Sequence, residues 1–230
     1  MLQLPNVVGH RGAAAYAAEN TLDSFREARR RGATWIELDV KTTRDGVPIV
    51  MHDESLVRTM GVDRLVIDTD CADLPAGVPT FAEAIACLDE LGLGCNVEIK
   101  PCPGREATTA RAAVETLRQR WPTHLPAPLL SSFKDASLAA ARAAAPEFAR
   151  ALLLGEQVSD WHTRAQAVDA IGLNVNGRKL DALWAHEIKR AGYLLGVYTI
   201  NDPVEARALL AMGADCIITD APDVILAALT

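Results

Sequence analysis

The sequence predicts a (β/α)8 TIM barrel, and three observations predict it. Short apolar runs of β type alternate with amphipathic helical stretches from one end of the chain to the other. With one hairpin arm set aside, eight strand–helix units follow in a row, and such alternation gives a parallel sheet covered by helices. The 230 residues, half of them hydrophobic, suit a barrel that closes as one unit. A doubly wound open sheet is the alternative. No linker or low-complexity stretch interrupts the pattern, so residues 1–230 read as a single barrel domain with a short insertion at 54–79, after the second-strand hairpin.

The elements follow in order. Val7 to Gly9 leads into His10-Arg11-Gly12, where Gly12 lets the backbone turn sharply. Ala13 to Ala18 is a small-residue loop. A helix starts near Asn20 or Thr21, carries Leu22, Phe25 and Ala28 on its apolar stripe, and ends at Gly32. Asn20 reads as its cap, and Arg29-Arg30-Arg31 as a solvated end complementing the helix dipole. Trp35 to Val40 is a strand. Its alternation sends Glu37 and Asp39 to one side and Ile36, Leu38 and Val40 to the other. Arg44-Asp45-Gly46 is a turn, and Val47 to Met51 the returning arm, with His52 and Asp53 at its end. Glu54 to Pro79 has weak periodicity and reads as an insertion over the strand ends.

Thr80 caps a helix running to about Leu91, and Cys95 to Ile99 is a strand that puts Glu98 and Lys100 on one face. Alternation then continues: helix 105–120, strand 129–133 passing into a loop, helix 136–144 stopped by Pro146, strand 149–154 and helix 160–168. Strand 170–175, helix 181–190, strand 194–199, helix 203–212, strand 216–219 and a last helix from Pro222 complete the chain.

The net charge of −7 argues against broad binding to nucleic acid or anionic lipid. No apolar run approaches the roughly 18 residues of a membrane span, and the first residues show no secretory pattern. The five cysteines are odd in number, dispersed, and form no C-x-x-C pair. They read as reduced thiols of a cytoplasmic protein. The sequence leaves the oligomeric state open.

His10, Arg11, Glu37, Asp39, His52, Glu98 and Lys100 all fall at strand ends on the C-terminal side, where barrels assemble their active sites. Two carboxylates on one face of an apolar strand are costly to bury unless a cation neutralises them. Carboxylates for a divalent metal, cations for phosphate oxygens and imidazoles for protons together suit a phosphate ester. The alternative is that Glu37 and Asp39 merely pair with Arg11 and Lys100. Without a Cys/His cluster of zinc spacing, oxygen ligands favour Mg²⁺ or Ca²⁺. Glu19, Ser132, Phe133 and Tyr198 read as candidates to line the pocket, with orienting Arg11 as the other reading of Glu19. His124, His162 and His186 stand apart and read as surface residues.

These motifs, H-R-G, E-N-T, E-L-D, M-H-D, E-I-K, S-S-F, Y-T-I-N-D and G-A-D-C-I-I-T-D-A-P, in this order over nearly the whole chain, resemble the glycerophosphodiester phosphodiesterases. The likeness is strongest to the short cytosolic bacterial enzymes linked to glycerol-3-phosphate uptake. The resemblance implies a barrel, a bound Mg²⁺ or Ca²⁺, and hydrolysis of a glycerophosphodiester to glycerol 3-phosphate and an alcohol. It makes Glu37, Asp39 and Glu98 metal ligands, His10 and His52 the acid–base pair, and Arg11 and Lys100 the phosphate grips. The expected nucleophile is the glycerol 2-hydroxyl, with direct attack by water as the alternative. Two departures stand out: the insertion after His52 is shorter than the family's usual cap, and Tyr198 replaces a frequent Trp. A lysophospholipase D and a non-catalytic binder are the rival readings.

Overall fold

A computed structural model describes residues 2–229. Among them, eight parallel strands close into a barrel: β1 (Val7–Gly9), β2 (Trp35–Thr42), β4 (Gly94–Ile99), β5 (Leu129–Ser132), β6 (Ala149–Leu154), β7 (Gly172–Asn176), β8 (Leu194–Tyr198) and β9 (Cys216–Thr219). Each pairs with its neighbours in the sequence, and β1 meets both β2 and β9, which completes the ring. The remaining strand, β3 (Pro48–Val50), runs antiparallel to β2 as the predicted hairpin arm. Helices α1 (Leu22–Arg30), α3 (Phe81–Leu91), α4 (Glu106–Arg120), α5 (Asp135–Ala144), α6 (Trp161–Ala167), α7 (Ala182–Arg190), α8 (Pro203–Ala211) and α9 (Pro222–Leu229) follow the barrel strands.

Strand alternation builds two interiors. Ile36, Leu38 and Val40 of β2 face outward and pack with Phe25, Phe81 and Leu88 of the covering helices. Leu173, Val175, Leu195 and Val197 do the same against Trp184 and Ile188 of α7. Inside the barrel, Val8, Trp35, Leu129, Ala151, Cys216 and Ile218 form a second, smaller core. Trp35, Leu129 and Cys216 begin their strands, so this core plugs the N-terminal end. A Cβ on Gly94 would lie 2.3 Å from the Trp35 ring, so only glycine lets the indole lie there. The apolar plug leaves the C-terminal end free for polar side chains.

The helix starts follow local chemistry. Thr80 caps α3 in a reciprocal capping box with Glu83, an arrangement in which the cap is worth about 1 kcal/mol. The expected Asn20 cap of α1 is corrected: Thr21 accepts the Ser24 N–H. Asn20 instead takes a left-handed φ of 58° and turns its amide to Asp39. The insertion carries one turn of α-helix, α2 (Val57–Met60), two 3-10 turns (Val66–Asp68 and Cys71–Asp73), and a small core of its own in which Leu56 and Val66 join Ile49, Met51 and Cys102. All five cysteines are free, four of them buried. No helix of the described residues is long and apolar enough to cross a membrane.

Candidate active site

Strand register brings the acidic residues together. Asp39 of β2 stands directly opposite Glu98 of β4, and Glu37 opposite Asn96. Ligand-capable oxygens of Glu37, Asp39 and Glu98 all lie within 4.8 Å of one another, and the three side chains are almost fully buried. Like charges set opposite each other across a sheet destabilise it. The consequence is visible in their acidities. Burial, and then Asp39, push Glu37 well above its ordinary range and Glu98 up to about 7. Burial acts on Asp39 too, but Lys100 and Arg11 outweigh it and keep that carboxyl below the usual range.

Cations offset this charge only in part. Lys100 Nζ donates to Glu98 Oε1 at 2.8 Å and lies 3.7 Å from Asp39 Oδ1. Arg11 has a left-handed φ of 50°, which turns its backbone N–H onto Glu37 Oε2 at 3.0 Å. Gly12 follows with a φ of 92°, and a Cβ there would sit 2.4 Å from Ser24 Oγ. Arg11 Nη1 donates to Glu19 at 2.8 Å, while its buried Nε, 3.3 Å from Asp39 Oδ2, forms no hydrogen bond. Three carboxylates therefore face two cations, one of them shared with Glu19. Asp39 Oδ1 is likewise buried without a hydrogen bond. A hard divalent cation fits this donor set: three oxygens, no soft ligand, and a charge deficit that a cation would fill.

Each imidazole is braced by its own aspartate. His10 Nδ1 bonds Asp220 Oδ1 at 2.6 Å, and His52 Nδ1 bonds Asp53 Oδ1 at 2.6 Å. An ionised carboxylate only accepts, so each Nδ1 donates and each Nε2 is left to exchange a proton. His10 Nε2 lies 4.0 Å from Glu37 Oε2. Asp220 is itself held by Asn201, whose amide donates to Oδ2 at 2.7 Å. Burial raises the Asp220 carboxyl, but the His10 and Asn201 bonds more than reverse this. Burial lowers His52 below the usual imidazole range, against the pull of Asp39 and Asp53.

Glu98 lines two cavities. The larger, about 540 Å³, is bounded by His52, Lys100, Ser132 and Phe133, and by Lys41, the next inward residue of β2 after Asp39. The smaller, about 20 Å³, lies among His10, Glu37, Asn96 and Tyr198. Phe133 and Tyr198 meet edge to face at 6.0 Å. Ser132 is at the wall with its hydroxyl engaged, donating to the Ile99 carbonyl and accepting from the Lys134 N–H. Tyr198 spends its hydroxyl on the Leu154 carbonyl. Of the candidates for the pocket wall, Glu19 lines neither cavity; its carboxylate accepts from Arg11 Nη1 instead.

Sequence reasoning gave no role to Asp220, Asp53, Asn201 or Lys41. Asp53 adjoins His52 and stood in the quoted M-H-D. Asp220 is 210 residues from His10, but the β1–β9 register of Gly9 with Thr219 makes them the next residues of paired strands. His124, His162 and His186 are exposed, as expected.

A TIM barrel with acidic and imidazole groups gathered at its C-terminal mouth has the parts of a metal-assisted phosphoester hydrolase. The model of the glycerophosphoryl diester phosphodiesterase family matches residues 10–224, and the chain belongs to that family of enzymes. It is similar to an Oleispira antarctica phosphodiesterase whose structure holds the product sn-glycerol-3-phosphate: identity is 37%, coverage 98% of this chain and 97% of that one, and the TM-score 0.95. A glycerophosphodiester phosphodiesterase of Thermotoga maritima aligns at 27% identity over 98% of both chains, with a TM-score of 0.80. One from Caldanaerobacter subterraneus subsp. tengcongensis is 29% identical over 240 residues, 96% of each chain.

Proposed function

We propose that this enzyme hydrolyses small, deacylated glycerophosphodiesters, such as glycerophosphocholine or glycerophosphoethanolamine, to sn-glycerol 3-phosphate and an alcohol. The observation that carries the reading is the convergence of Glu37, Asp39 and Glu98 beside two aspartate-braced imidazoles. These three carboxylates would hold Mg²⁺ or Ca²⁺, which when bound supplies Lewis-acid charge for the phosphoryl oxygens. Arg11 brings a planar fork with an unengaged Nε, and Lys100 a point charge, to the same oxygens. One imidazole Nε2 takes the proton of the attacking hydroxyl and the other gives a proton to the departing alkoxide. Each such group typically contributes about 10²–10⁴-fold. In the route we favour, the glycerol 2-hydroxyl forms the new P–O bond as the ester bond to the alcohol breaks. Water then opens the cyclic phosphate.

Against a lysophospholipase D, the insertion's Leu56, Met60, Val62 and Val66 are taken up in its own core, leaving little to line an acyl channel. Against a simple binder, none of the expected acid–base or carboxylate groups is missing. A reducing, cytoplasmic setting is supported by the five free thiols. The test is release of sn-glycerol 3-phosphate from glycerophosphocholine, with and without EDTA. Chelator-sensitive release is expected, with a cyclic glycerophosphate trapped during turnover. Release only from monoacyl substrates, or none at all, would overturn the proposal.

A further inference from the structure

Beyond Glu54 and Ser55, which line the larger cavity, the insertion reaches the site through Arg58 of α2. Its Nε donates to Asp53 Oδ2 at 2.5 Å, and its Nη1 and Nη2 donate to Glu19 Oε2 and Oε1 at 3.0 and 2.6 Å. Both carboxylates have a second task. Asp53 holds His52 Nδ1 at 2.6 Å, and Glu19 holds Arg11 Nη1 at 2.8 Å. The guanidinium thus joins two pairs that come from different parts of the chain: one before β2, the other after β3. The turn bearing it is fixed by Leu56, fully buried in the insertion core. Arg58 itself is half exposed, at 50%, and exposed ion pairs add little to stability. Its geometry has another use, since a planar fork can hold two carboxylates at a set spacing, which an ammonium cannot.

We infer that Arg58 is a positioning residue of the phosphodiesterase: it ties the His52–Asp53 pair to the Arg11–Glu19 pair, so that the proton-transferring imidazole and the phosphate-gripping guanidinium keep one separation. The inference rests on the function proposed above. Arg58 touches no reacting atom and acts only through Asp53 and Glu19. The insertion thereby contributes to turnover. Arg58 also compensates charge on two carboxylates beside the cleft, so its charge and its fork have separable effects.

Arg58→Lys keeps the charge and loses the fork. It should lower kcat about 10- to 100-fold, the scale set by misplacement of a reacting group by about 1 Å. KM for glycerophosphocholine should stay within about twofold, and the melting temperature near that of the parent. Arg58→Gln should lower kcat comparably and also raise KM, and adding Glu19→Gln to it should cost less than Glu19→Gln costs in the parent, because only the direct hold on Arg11 is left to break. A parent-like kcat in Arg58→Lys, or fully multiplying losses in the double variant, would overturn the inference. A second readout needs no turnover. Glu19→Gln should shift the ¹⁵N–¹H resonances of the His52 imidazole, which Glu19 does not touch, and should no longer do so in the Arg58→Gln background. If the parent releases no sn-glycerol 3-phosphate, the proposed function fails. The resonance experiment then still decides whether Arg58 couples the two pairs, an unmoved His52 signal sinking the coupling.

Discussion

Two histidines with the same brace carry the proposed chemistry, and each brace has a distinct origin. Asp53 adjoins His52 in the chain, whereas Asp220 reaches His10 only when the barrel closes. His10→Ala should cost about 10²–10⁴-fold in sn-glycerol 3-phosphate release with the circular dichroism of the parent; retained activity would remove His10 from the mechanism. Asp220→Asn should change the acid limb of stability. The Asp220 carboxyl lies below its ordinary range in the folded protein. Its contribution is therefore fully present above the unfolded value of about 3.9 and is lost as pH falls through the lower folded value. Urea midpoints measured from pH 6 down to pH 3 should fall less steeply in Asp220→Asn than in the parent. The seven principal candidates could be proposed from sequence because their motifs sit in or beside strands, and period-two alternation shows which share a face. Asp220 and Arg58 were not assigned roles because their partners are set by closure and by the packing of an aperiodic insertion, neither of which has a local pattern.

At the level of elements, the turn after β1 is the most constrained. Arg11 and Gly12 both have positive φ, and α1 presses Ser24 against the glycine. Gly12→Ala should therefore destabilise by about 1–3 kcal/mol and displace Arg11, so that thermal melts and activity fall together; a melting temperature equal to that of the parent would refute the constraint. Strand and helix order was readable from periodicity because each element buries only one face in the outer core. The ends were less so. Asn20 and Thr21 are both good caps, and the choice between them follows from Asp39, which engages Asn20. The insertion defied reading because its turns answer to a small private core and to Arg58's carboxylates, and neither imposes a helical or strand period.

Across the molecule, the apolar plug of the barrel and its acidic mouth are consequences of one alternating pattern. Residues that point inward near the strand starts fill space, and those near the ends carry charge. Register sets Asp39 against Glu98, and the closed ring gives the cluster no route to separate. Cation binding should relieve this repulsion: Mg²⁺ or Ca²⁺ at about 100 times its Kd should add about 2.7 kcal/mol to stability, read as a higher melting temperature. Glu37→Gln should weaken both that gain and the metal dependence of turnover. The most direct measurement is anomalous scattering from crystals grown with Mn²⁺. The account predicts a single peak at the mouth, within about 2–2.6 Å of one oxygen from each of Glu37, Asp39 and Glu98. A peak bound elsewhere, or no peak with the three carboxylates still closed upon Arg11 and Lys100, would contradict it.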